Sequence, residues 1–240
     1  MSKIAVIIPA KNEAQNIGRV IEDVRSNAPQ CDIIVVDDHS ADNTVQTAEM
    51  FERVTVLSSS ISLGIGGAVQ LGVLYALKQG YDTLVRMDGD GQHNGFFIDK
   101  LLSKVKDNVL VVGTRCGADF KTSSDMARKI GGWYFRLLFR FFTRTNVLDP
   151  TSGFICFGKS IAEKFARYYP LDYPEIESTM LLIRAGYRIE CEEVRMNPRK
   201  QGRSSISWFY SLVYMIAVSL AFFISFFKDN PYKGQSWKSP

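Results

Sequence analysis

The sequence predicts an α/β fold, a mostly parallel, Rossmann-like sheet flanked by helices. Three observations lead there. Short apolar runs rich in β-branched residues, such as IAVII at 4–8 and IIVV at 33–36, read as strands buried on both faces, the habit of parallel sheets. These runs alternate with stretches of helical pattern, as in a doubly wound sheet. Polar, turn-forming sequences follow the first, second and fourth runs, at the sheet edge where such folds hold ligands. The length of 240 residues fits one domain with an appendage.

The elements follow in order. The first strand spans 4–8 and stops at Pro9; Asn12-Glu13 opens a helical stretch to about Ser26. The second strand, 32–38, ends in two carboxylates, and Ser40 and Asp42 are cap-type residues before a helix near 43–51. A short strand at 54–57 precedes the glycines of 64–67, which lead a helix to about Gln79 with Gly80 as its stop. The fourth strand, 83–87, runs into Asp88-Gly89-Asp90; a helix near 96–106 and a strand at 109–113 follow. The second half is less regular: a helix at 126–143 without acidic residues, a DPTSG turn at 149–153, a strand at 154–157, a helix at 175–185, a strand at 187–194 and a basic, turn-rich stretch at 195–203. Residues 204–227 carry no charged side chain. The chain thus divides into a domain at 1–203 and a hydrophobic, membrane-associated segment with a polar tail at 204–240.

Composition narrows the class. With 22% charged and 46% hydrophobic residues the chain is neither disordered nor a multi-span membrane protein. Its four cysteines are far apart and form no CxxC pair, which predicts free thiols in a reducing compartment. Two histidines, His39 and His93, leave no HExxH zinc site. The N-terminus enters a strand at once, so a secretory signal is not expected.

The strongest chemical signal is Asp88-Gly89-Asp90-Gly91-Gln92. Two carboxylates two residues apart, on a turn after a buried strand, can face one cation, and the glycines let the backbone bend around it. Such hard oxygen ligands suit Mg²⁺ or Mn²⁺, with the Gln92 amide oxygen as a third contact. The same residues also fit a plain turn that caps the next helix. One of Asp37 and Asp38 reads as a helix cap and the other as an acceptor for a nucleotide base or ribose. The loop 64–67, with Gly66 at its centre, either presents amides to an anion or provides close helix–sheet packing. It is no Rossmann fingerprint, because position 69 is Val69 and the loop follows the third strand.

The motifs IIPAKNE at 7–13, VVDDHSADNT at 35–44 and DGDGQH at 88–93 follow one another in order. Jointly they resemble the nucleotide-sugar motifs of the family 2, GT-A-fold, inverting glycosyltransferases. DPTSGF at 149–154 and RKQGRSS at 199–205 resemble the dolichyl- and polyprenyl-phosphate sugar synthase branch. The resemblance implies that Pro9, Glu13 and Asp38 line the base and ribose pocket, with Gly66 at the donor. It implies that Asp88, Asp90 and Gln92 hold the metal, Arg115 and Arg128 grip the acceptor phosphate, and Arg199 and Arg203 close over the donor diphosphate. Two positions depart from that branch: Lys11 stands where it usually has an aromatic residue, and Ser204-Ser205 where its basic motif often ends in Ser-Lys.

The implied activity is transfer of a hexose or N-acetylhexosamine from a nucleotide sugar, UDP before GDP, to polyprenyl phosphate at the cytoplasmic membrane face. A sugar-to-sugar transferase of surface polysaccharide synthesis is the alternative. That reaction needs a general base, and Glu175 is placed to be one. A lipid phosphate, with a second pKa of about 6, is already an anion, and Glu175 would then order Arg199 and Arg203. Membrane contact has two candidates. On a helical wheel over 126–144, Arg128, Lys129, Arg136, Arg140 and Arg144 share one side and most aromatic and aliphatic residues the other, as in an interfacial helix. The 204–227 run reaches the length of a span, about 20 apolar residues, or lies in the interface, or pairs with a small membrane protein or a second copy. No nucleic-acid partner is expected.

Overall fold

A computed structural model describes residues 3–115, 124–145, 147–197 and 208–233. Among these, seven strands form one sheet: β1 (Ile4–Ala10), β2 (Asp32–Asp37), β3 (Val54–Ser58), β4 (Thr83–Arg86), β5 (Val109–Arg115), β6 (Ile155–Gly158) and β7 (Arg188–Val194). The helices are α1 (Ile17–Asn27), α2 (Thr44–Glu49), α3 (Gly64–Lys78), α4 (Ile98–Lys104), α5 (Ser124–Thr143), α6 (Lys159–Arg167), α7 (Pro174–Arg184) and α8 (Trp208–Phe227).

The strand order is β3-β2-β1-β4-β6-β5-β7. β1 pairs in parallel with β2 on one side and β4 on the other, so the order reverses between β1 and β4. A crevice opens at the carboxyl ends of strands where order reverses. The ends of β1 and β4 carry Pro9-Ala10 and Asp88, which fixes where a ligand site can form. β6 is antiparallel to both of its neighbours, β4 and β5.

Alternate residues of each strand fill two cores. Ala5, Ile7, Ile34, Val36 and Leu84 face α3 and α6, while Val6, Ile8, Ile33, Val35 and Val85 face α1 and α4. Both faces are therefore dry, as the continuous apolar runs require, and each fully buried aliphatic side chain contributes roughly 1.5–3 kcal/mol. A third core joins α5, α7 and α8 through Phe135, Phe139, Ile176, Met180, Val218 and Phe222. Cys31, Cys156 and Cys191 are free thiols, and burial pushes each of them up, to about 12 at Cys31. Cys116 lies outside the described residues.

Two expectations change. α6 does not figure in the sequence reading; its apolar pairs Ile161-Ala162 and Phe165-Ala166 are the buried face that orders it. The spanning reading of 204–227 finds no support in the described residues, and residues 204–207 lie outside them. No helix among the described residues is long and apolar enough to cross a membrane. α8 lies along α7, and the chain after it returns to the domain. Asn230 Nδ2 donates to the Leu181 carbonyl at 2.8 Å, and the buried Tyr232 donates its hydroxyl to the Tyr168 carbonyl at 3.1 Å.

Candidate active site

The loops after β1 and β2 are tied to each other by short polar side chains. The Asn12 amide donates to Ser40 Oγ at 2.9 Å, the Ala41 amide to Asn12 Oδ1 at 2.8 Å, and the Ala14 amide to Asp42 Oδ2 at 3.1 Å. The Glu13 amide donates to Thr44 Oγ1 at 2.8 Å, and the Glu13 carboxylate accepts from Asn16 Nδ2 at 2.6 Å. Ser40 and Asp42, read from the sequence as caps, thus fasten one loop to the next. Asp38 is the hub of the following turn: it accepts from Ser62 Oγ at 3.0 Å, from the Gly64 amide at 3.2 Å and from the Leu63 amide, with Lys11 Nζ 3.5 Å away. Asp37 keeps one buried oxygen, Oδ1, without a hydrogen-bond partner among the described residues.

After β4 the chain turns sharply. The turn lies against the end of β1, because a Cβ on Gly89 would sit 3.2 Å from the Pro9 carbonyl oxygen. Gly91 has a φ of 77°, a left-handed conformation that favours glycine. Asp90 accepts from the Gln92 amide at 3.0 Å and from the Gln92 side-chain nitrogen, so the Gln92 amide oxygen takes no part in this pairing. Asn197 clasps the turn from outside: its amide donates to the Gln92 carbonyl at 2.8 Å and its Nδ2 to the Gly91 carbonyl at 3.2 Å.

Asp88 is fixed from three sides. Arg86 Nη2 donates to its Oδ1 at 3.1 Å. Its amide donates to His93 Nδ1 at 2.9 Å, and His93 Nε2 lies 3.8 Å from its Oδ2. His93 is buried and stacks on Phe154 at 5.0 Å. Burial, only partly opposed by Asp88 and Asp90, lowers its pKa, so the ring is neutral near pH 7 and carries its proton on Nε2. Burial raises the Asp88 carboxyl's pKa, but the charge and hydrogen bond of Arg86, with His93 beside it, outweigh that effect and hold it below the usual range. The carboxylate is therefore ionised at neutral pH.

These groups fit a divalent cation by their chemistry. Two carboxylates and an amide oxygen are hard donors on one turn. No group of three His, Cys, Asp or Glu residues converges among the described residues. An ion here would take the rest of its shell from water and ligand phosphate oxygens, the usual arrangement for Mg²⁺.

Residues 5–167 match the model for glycosyl transferase family 2. The chain belongs to glycosyl transferase family 2. A similar protein is the undecaprenyl-phosphate mannosyltransferase of Micrococcus luteus, 30% identical over 217 residues that cover 85% of this chain and 88% of that one. Another is the polyprenol monophosphomannose synthase of Mycolicibacterium smegmatis, 30% identical over 175 residues, 66% of this chain and 63% of that one. Among solved structures, glucosyl-3-phosphoglycerate synthase from Mycobacterium tuberculosis, in complex with Mn²⁺, UDP and glucosyl-3-phosphoglycerate, superposes with a TM-score of 0.70 at 20% identity, covering 94% of this chain and 80% of that one. It shows the fold.

In this glycosyltransferase Pro9, Glu13, Asp38, Asp88, Asp90 and Gln92 gather at the carboxyl edge around β1, β2 and β4. Gly66 is held by packing, since a Cβ there would lie 2.0 Å from the Pro170 carbonyl oxygen. Glu175, in the first turn of α7, meets Arg86: Nη1 to Oε1 is 2.6 Å. Arg199 and Arg203, its expected partners, lie outside the described residues, and so does the side chain of Arg128 on α5. Arg115 ends β5 with its Nε 4.0 Å from Asp149 Oδ2 and without a hydrogen-bond partner among the described residues. Arg86 and Asn197 carry no mark in the sequence motifs, and Gly153 is marked only as part of DPTSGF. Arg86 was hidden inside an apolar strand, where a lone charge in LVRM is itself the signal. Gly153 lies so close that a Cβ would come within 3.0 Å of both Arg86 Nη2 and Asp88 Oδ2. Asn197 sits just past β7 with no motif to mark it.

Proposed function

We propose that this glycosyltransferase moves a hexose or N-acetylhexosamine, with inversion, from a UDP- or GDP-sugar to polyprenyl phosphate at the cytoplasmic face of the membrane. The observation that carries the reading is the state of Glu175. A sugar hydroxyl acceptor needs a base, and the carboxylate best placed for that task is engaged with Arg86 at 2.6 Å. A phosphate monoester acceptor, mostly dianionic at pH 7, needs none. The names of the Micrococcus and Mycolicibacterium relatives support a polyprenyl-phosphate acceptor, and the UDP and Mn²⁺ of the mycobacterial structure support the donor side.

Asp88, Asp90 and Gln92 would hold Mg²⁺ or Mn²⁺, which supplies charge neutralisation for the nucleoside diphosphate leaving group. Asp38 and Lys11 order the loop at 62–64 beside the base and ribose, with Pro9 and Glu13 on the facing loop. Arg115, Arg128, Arg199 and Arg203 offer the bidentate fork that suits phosphate.

Contact with the lipid is supported by an apolar ridge. Trp133, Leu137 and Phe141 on α5, and Ile216, Leu220, Ile224 and Phe227 on α8, stand exposed at helical spacing, with Arg140 and Arg144 beside them. Exposed aromatic and aliphatic residues bordered by arginine suit the surface of an anionic bilayer.

The test supplies radiolabelled UDP- and GDP-sugars, Mn²⁺ and undecaprenyl phosphate in phosphatidylglycerol vesicles, and follows label into the lipid phase. The expected result is labelled lipid from one nucleotide class, with inverted anomeric configuration. Asp90→Ala should lower the rate by about 100-fold or more, on the scale of lost electrostatic stabilisation. Transfer to soluble glycans and none to the lipid would overturn the reading.

A further inference from the structure

Arg86 is the largest fully buried side chain among the described residues. It lies at the end of β4, with Ile7 beside it on β1 and Ile155 on β6. A buried cation persists only when paired. Here the two prongs of one guanidinium reach two carboxylates far apart in sequence: Nη1 to Glu175 Oε1 at 2.6 Å and Nη2 to Asp88 Oδ1 at 3.1 Å. Gly153 closes a further side, with room for no larger residue.

The geometry points to Glu175 as a positioning residue that acts through Arg86: it is the counter-ion of the guanidinium that holds Asp88, and it keeps the Asp88 charge available to the divalent cation. The inference rests on the proposed metal and nucleotide site. The charges support it. Asp88, Asp90 and Glu175 against Arg86 leave two net negative charges beside the place of a dication. Without the charge of Glu175 the guanidinium loses its nearer carboxylate and keeps Asp88. Its whole fork can then close on Asp88, and bidentate pairing of that kind competes directly with a metal for the same oxygens. Removing Arg86 as well restores the balance. Glu175 touches neither acceptor nor metal in this scheme.

The experiment measures Mn²⁺ affinity in the presence of saturating UDP, without acceptor, by the free-ion electron paramagnetic resonance signal. Glu175→Gln should weaken Mn²⁺ binding by about tenfold or more, the scale on which groups behind a metal ligand act. The double variant Arg86→Met with Glu175→Gln should bind Mn²⁺ more tightly than Glu175→Gln alone. Glu175→Asp, which keeps the charge on a shorter stem, should fall between wild type and Glu175→Gln, and it carries the test if Glu175→Gln does not fold. An Mn²⁺ affinity unchanged by these substitutions, with only transfer lost, would make Glu175 a base and overturn the inference. So would a double variant no better than the single one. If the wild-type protein binds no Mn²⁺ with UDP, the donor-site reading itself fails and the inference falls with it.

Discussion

Replacing Tyr232 tests whether the chain after α8 belongs to the domain or lies beyond a membrane. The ring is 2% exposed in the core formed by α3, α6 and the sheet, 6.1 Å from the Phe165 ring centroid. Burial raises its pKa well above the usual value, so the hydroxyl stays a donor to the Tyr168 carbonyl. Tyr232→Ala should cost about 3–5 kcal/mol, as for other buried aromatic truncations. At roughly 2–4 °C per kcal/mol for a chain of this size, Tm should fall by roughly 6–20 °C. Tyr232→Phe keeps the ring and loses one neutral hydrogen bond, about 0.5–1.5 kcal/mol. Thermal unfolding followed by near-ultraviolet circular dichroism reads both. If Tyr232→Ala unfolds within about 1 °C of wild type, the ring is not in the core and α8 does not return to the domain.

Two further outcomes follow from the packing and the buried acids. Gly66→Ala drives a methyl against backbone on the facing segment, 2.0 Å from the Pro170 oxygen and 2.6 Å from Leu171 Cα, and should cost about 1–3 kcal/mol or more in a thermal melt. A loss of UDP affinity with Tm unchanged would mean instead that the loop faces the ligand. Burial and the hydrogen bond to Asp32 raise Tyr81 from 10.0 to about 12. The folded state then keeps a proton that the unfolded chain has lost, so this stabilisation is complete below pH 10 and drains away as pH rises towards 12. Urea midpoints at pH 9 and pH 11.5 should fall less for Tyr81→Phe than for wild type, and equal falls would remove Tyr81 as the titrating group.

Most of the sheet was readable because a strand buried on both faces has to be apolar at every position. The runs at 4–8 and 33–36 have no other soluble home of that length. The place of the site was readable for the same reason: Asp38, Asp88 and Asp90 follow such runs at once, and the carboxyl edge of the sheet is the only exit. What escaped depends on partners distant in sequence. The reversed strand β6 is as apolar as a parallel one, and its direction is settled by pairing with β4 and β5 rather than by its own residues. The packing of the 204–227 run is likewise set by distant partners: Ser225 donates to Glu177 at 2.8 Å, and Asn230 and Tyr232 donate to the Leu181 and Tyr168 carbonyls. Local hydrophobicity does not encode those contacts.

The first turn of α7 joins the two halves of the molecule. Glu175 and Glu177, two residues apart, cannot share a helix face, and each serves a different neighbour. Glu175 reaches inward to Arg86 and through it to Asp88. Glu177 accepts from Ser225 on α8 and lies 3.5 Å from Lys228 just beyond it. Between them Ile176 enters the core shared with α5 and α8. The helices that carry the exposed apolar ridge and the carboxylate that balances Arg86 are thus set by one turn of helix. A displacement of α8 that moved α7 would be felt at Asp88 before it reached Asp90 on the same turn, because Arg86 is the link and Asp90 is held separately by Gln92. The YPE sequence of α7, the glycine of DPTSG and the DGD turn lie far apart in the chain. Through Glu175, Gly153 and Asp88 they converge on one guanidinium.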